Sequence, residues 1–187
     1  MITRTRMRGG GSAGGSTHVL VTGADAVATD ADVPPASNVL GITYETAAET
    51  WLGEVQSGPE RTAVVSVGEH SRAAAAAPAE PTAAASEDLA VATAAVETVP
   101  EVADVASVGV LVNDYVSAWD DETTVYVDDF SALLDPTSTE TAFRFAHALT
   151  SCAAANDARV VAGLDTADRP SHVAATFAEL FDDVREV

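Results

Sequence analysis

Residues 123–134 read TTVYVDDFSALL, an apolar run that stops at two aspartates. β-Branched and aromatic residues bounded by charge are the pattern of a strand buried on both faces. A carboxylate placed where such a strand emerges sits at the rim of a sheet, where Mg²⁺ and its waters can be ordered. Asp128 is therefore the candidate metal residue. The plainer reading of the same residues is an acidic pair that ends a strand in an acidic protein.

On either side of this stretch, strands and helices alternate. HVLVT (18–22), NVLGIT (38–43), TAVVSV (62–67) and ARVVAGL (158–164) are further short apolar runs. After the second, Thr46 to Glu49 forms a capping-box pattern, and Ala48, Trp51, Leu52 and Val55 share one helical face. Val108, Leu111, Val112, Tyr115, Val116 and Trp119 make the clearest stripe. A second capping box, Thr137 to Glu140, opens a helix with Ala142, Phe145, Ala146, Leu149, Cys152 and Ala153 inward and Asn156 near its stop. Pro170-Ser171 opens a last helix with Val173, Phe177, Leu180, Phe181 and Val184 inward. Residues 89–99 fit either a helix or an edge strand, and Pro100 ends both.

This alternation predicts an α/β fold of three layers: a mostly parallel sheet of five to six strands with helices on both faces. Ligands in such sheets bind beyond the carboxyl ends of the strands. The informative residues are then Gly23–Asp25, Tyr44–Thr46, Gly68–His70, Asp128–Ser131 and Asp165–Thr166. Residues 1–16 form a flexible Arg/Gly/Ser tail, and 17–187 a single domain with a mobile Ala/Pro-rich insertion at about 70–88, broken by Pro78 and Pro81.

The 123–134 strand resembles the Walker B strand of the RecA/KaiC superfamily of P-loop ATPases, with Asp128 in the metal-ordering position. Phe130 to Leu133 resemble the run that follows it. NVLGITYETAAETW (38–51) is similar to the KaiC-type second strand, which ends in an aromatic residue and glutamates that activate the attacking water. Glu45 matches the first glutamate, and Thr46 stands where the second would be. The helix from 137, the strand to Leu164 and the polar Asp165-Thr166 follow in family order, so the resemblance spans about residues 17–187. The arrangement looks closest to uncharacterised haloarchaeal proteins related to KaiC. It implies a RecA-like domain with Glu45 and Asp128 as catalytic candidates.

The departure lies after the first strand. A P-loop reads GxxxxGK[ST], and its glycines and lysine wrap the phosphates. Here Gly23 is a vestige followed by ADAVATDADVPPAS, with no second glycine, lysine or Ser/Thr pair. Asp25, Asp30 and Asp32 add negative charge there. Two like charges about 4 Å apart repel by about 4 kcal/mol at an effective dielectric of 20. No helix is expected before Pro34-Pro35, so the helix N-terminus that faces phosphate is missing too. The function expected is a non-catalytic regulatory or signalling module that works through a protein partner or self-association, with no cofactor. The alternative is an atypical nucleotide enzyme in which Asp128 and Glu45 hold Mg²⁺ and water for ATP, and Arg144, Arg159 or a neighbouring subunit's arginine replaces the lysine.

Composition sets the remaining bounds. Asp and Glu number 29 against nine basic residues, all of them arginine, for a formal charge of −20. Periodic apolar segments point to a folded, salt-adapted protein rather than a disordered acidic chain. Such a surface repels nucleic acid. The single Cys152 excludes an internal disulfide, and its place on an apolar helical face reads as a packed thiol. No apolar run is long enough to span a membrane, and a cytoplasmic location is expected. His18, His70, His147 and His172 are scattered and read as surface or capping residues.

Overall fold

A computed structural model describes residues 17–55, 59–69, 71 and 94–187. The tail at 1–16 and nearly all of the 70–88 insertion lie outside the described residues. Seven strands form one sheet: β1 (Val19–Gly23), β2 (Asn38–Thr43), β3 (Arg61–Val67), β4 (Ala95–Val99), β5 (Thr123–Val127), β6 (Arg159–Asp165) and β7 (Asp183–Glu186). Their order is β4-β3-β2-β5-β6-β1-β7, and every pairing is parallel. Helices whose bounds lie within the described residues are α1 (Ala48–Glu54), α2 (Val105–Ala118), α3 (Thr139–Ala155) and α4 (Ser171–Ala178). This three-layer α/β architecture is consistent with a RecA-like fold.

Alternation along the strands feeds two unequal cores. Leu20, Leu40, Ile42, Val65, Val125, Val127, Val160 and Leu164 point to one side, where Val108, Val112 and Val116 of α2, Phe145 and Leu149 of α3 and Phe177 of α4 close over them. The opposite side is thinner. Trp51 of α1 covers Val39 and Val64, and Ala26, Ala28 and Ala31 of the chain after β1 cover Val19, Val21 and Val161. A glycine makes that thin layer possible, since a Cβ at Gly41 would lie 2.7 Å from the outer ring atoms of Trp51.

Several expectations need correction. The sheet has seven strands, one more than the five-to-six count, and the added strand is β7 at its margin. Residues 95–99 form an edge strand. The last helix stops at Ala178, and Val184 lies in β7, where it is 45% exposed. Both capping boxes fail. Thr46 gives its N–H to Asp128, so α1 starts after Ala47 with no side-chain cap. Ser138 caps α3 instead of Thr137, whose hydroxyl donates to the Leu133 carbonyl. Asp104 caps α2 by accepting from Ser107 N–H. His18 is buried rather than exposed, its Nδ1 accepting from the Val160 N–H at 3.0 Å.

Candidate functional site

The parallel sheet brings the residues after β1, β2, β5 and β6 to one rim, as the alternation predicted. Asp128 sits at its centre, only 4% exposed. Its carboxylate accepts from the backbone N–H groups of Tyr44 (2.9 and 3.0 Å), Glu45 (3.0 Å), Thr46 (3.0 Å) and Asp129 (2.7 Å). Burial pushes the Asp128 carboxyl above the usual carboxylate range, and these four donors pull the other way. Asp128 therefore ties the turn after β2 to the end of β5, with both oxygens spent on backbone.

Asp129 and Asp165 act alike. Asp129 accepts from Ser131 N–H at 2.7 Å and from Asp165 N–H at 3.2 Å, and from the Ser131 hydroxyl. Asp165 accepts from Ala167 N–H at 2.9 Å and from Asp25 N–H at 3.4 Å. A P-loop turns its N–H groups outward onto phosphate oxygens. Here the rim turns them inward onto the chain's own carboxylates.

The segment after β1 lies down on this rim. It holds only a three-residue 3₁₀ turn, Ala28–Asp30, as the missing helix signal predicted. Ala28 N–H donates to the Asp128 carbonyl at 3.2 Å. Gly163 of β6 permits the approach: a Cβ there would lie 2.7 Å from the Ala26 carbonyl oxygen and 2.9 Å from Val27 Cα, and closer still to the Asp128 carbonyl oxygen. Gly23, the vestigial first glycine, is covered as well, since a Cβ there would lie 2.5 Å from the Val187 carbonyl oxygen. A cleft of about 320 Å³ remains between this segment and α1. Asp30, Glu54 and Asp128 line it together with Thr29, Thr46 and Trp51, and no basic side chain is among its described lining residues. Among the described residues no group of three or more His, Cys, Asp or Glu side chains gathers as a metal site.

Glu45 is exposed at the rim, tied to it through its backbone N–H. The arginines proposed to replace the lysine do not reach this place. Arg159 opens β6 opposite Thr124, four residues of strand and roughly 13 Å from the Asp128 end. Arg144 is exposed on α3, paired with Glu140 at 2.6 Å. Among the described residues the arginine at the rim is Arg169, which the sequence reading passed over. It donates to Asp135 at 2.9 Å and to the Ser131 carbonyl at 3.3 Å. The Asp135 hydrogen bond raises its pKa further, with Asp129 and Asp165 adding attraction. Its position two residues before the α4 start was the available signal. Cys152 is half-buried against Asn113 Oδ1 at 3.6 Å, and burial raises its thiol pKa.

The chain belongs to a family of unknown function (DUF7504), which matches residues 16–187. A search of curated proteins finds no match.

Proposed function

We propose that this chain is a non-catalytic RecA/KaiC-like module that acts through protein contacts, its nucleotide loop lost. One observation supports this most: the segment after β1 packs onto the Asp128 backbone and Gly163, while the Asp128 carboxylate is taken up by the N–H groups of residues 44–46 and 129. A triphosphate would have to displace that segment and then face Asp25, Asp30 and Asp129 with, among the described residues, only Arg169 as a rim cation, itself held by Asp135. The repulsion outweighs what one surface arginine returns.

The absence of lysine and the charge of −20 fit a chain that works in concentrated salt, as in haloarchaeal cells, where a partner is held by apolar and short-range contacts. The reading is tested by equilibrium binding of ATP with Mg²⁺ to the full chain in multimolar KCl. No saturable binding is expected. Micromolar affinity would defeat the reading, and hydrolysis lost on Glu45→Gln would put the nucleotide enzyme in its place.

A further inference from the structure

The opposite end of the sheet has the chemistry that the rim lacks. Arg159 at the start of β6 and Arg185 in β7 flank β1 on the thin side of the sheet. Both hold the 24–37 segment: Arg159 Nη2 donates to the Pro34 carbonyl at 2.5 Å, and Arg185 Nη1 to the Asp32 carbonyl at 2.8 Å. With Val19, Val33, Pro34 and Glu122 they line a cleft of about 390 Å³, within the size range of small-ligand pockets.

A guanidinium has five N–H donors in a rigid fork. Arg159 spends Nε on Thr124 Oγ1 at 2.7 Å and Nη2 on Pro34 and on Glu122 at 3.3 Å. Arg185 spends Nε on Asp183 at 3.0 Å and Nη1 on Asp32. Nη1 of Arg159 and Nη2 of Arg185 make no hydrogen bond within the described residues. The Arg159 side chain is 11% exposed and held at several points, so its free donors are fixed before any ligand arrives.

Charge selects the ligand. Glu122 and Asp183 offset the two guanidiniums, which leaves hydrogen-bonding capacity without a net positive charge. A dianion such as phosphate is disfavoured there, whereas a singly charged carboxylate can accept from the remaining Nη1 of Arg159 and Nη2 of Arg185. Val19, Val33 and Pro34 offer an apolar floor. Concentrated salt screens the general −20 field to within about 3 Å and leaves short hydrogen bonds in place.

We propose that this cleft binds a small monocarboxylate with a short hydrocarbon chain, its carboxylate on the free N–H groups of Arg159 and Arg185 and its chain on Val19, Val33 and Pro34. The test is a titration of the ¹⁵N-labelled full chain with butyrate in KCl at constant ionic strength, with inorganic phosphate in parallel. Saturable shifts at the Val19, Val33 and Thr123 amides are expected, with half-saturation on the order of 1 mM. Arg185→Gln should weaken binding at least about tenfold. Val33→Phe, which fills the cleft and leaves both arginines in place, should abolish it while the rest of the spectrum is retained. Shifts that never saturate, phosphate binding as well as butyrate, or an unchanged response in Val33→Phe would each overturn the proposal.

Discussion

The two ends of this sheet hold the surrounding backbone with side chains of opposite charge. At the carboxyl rim, Asp128, Asp129 and Asp165 draw in the backbone N–H groups of the surrounding loops, and the surface that remains is acidic. At the amino end, Arg159 and Arg185 draw in backbone carbonyls and keep donors to spare. The 24–37 segment joins the ends. It is tied to the Asp128 carbonyl through Ala28 at one end and to both arginines through Asp32 and Pro34 at the other. A single piece of irregular chain stands where a phosphate loop and its helix are expected from the resemblance. Its anchoring covers part of the carboxyl rim while the parallel strand order is kept.

The sharpest way to break this contrast is Asp128→Ala. Removing a buried acceptor strands the N–H groups of residues 44–46 and 129, and a loss of about 3–5 kcal/mol in chemical denaturation is expected. A carboxylate kept for metal would cost little stability when removed. Gly163→Ala comes next, because its Cβ would meet backbone of Asp128, Ala26 and Val27 that has no flexible side chain to yield. Overpacking of this kind costs about 1–3 kcal/mol, and proteolysis should then begin within residues 24–37. At the amino end, Arg159→Gln gives up the bonds to Thr124 and Pro34 at a cost of about 1–2 kcal/mol.

A smaller effect tests the buried histidine at that same end. Burial lowers the His18 pKa, with Asp182 opposing, and the neutral ring accepts from Val160 N–H. The unfolded chain binds a proton near the ordinary value of about 6.5, while the folded chain resists it. Stability from His18 is therefore fully present above that pH and is lost as pH falls through the lower folded value. A His18→Gln variant should show a flatter stability profile below about pH 6.5, read by denaturation at several pH values. The smallest change belongs to Glu45→Gln, whose side chain is exposed at the rim: within about 0.5 kcal/mol.

The central strands were legible because their β-branched runs have only one low-energy use, and the position of Asp128 followed from where its strand ends. Its role did not. A strand-end aspartate reads the same in sequence whether it faces solvent, a metal or the N–H groups of a neighbouring turn, and only the docking of the turn after β2 decides between them. Gly163 sat unremarked inside ARVVAGL, since close backbone approach depends on a segment more than a hundred residues away. The last strand was illegible for a different reason. DVRE offers one inward-capable apolar residue, and its pairing is made by the exposed edge of β1 rather than by any pattern of its own. Capping signals slipped by a residue at α3 because Thr137 found a carbonyl acceptor first.

Amide hydrogen exchange at Tyr44, Glu45 and Thr46 reaches the central claim most directly. If these groups are bound to Asp128, they exchange as slowly as neighbouring amides in β2, and ATP with Mg²⁺ leaves them unchanged. Exchange at the rate of an open loop, or protection that arrives only with nucleotide, would contradict the account.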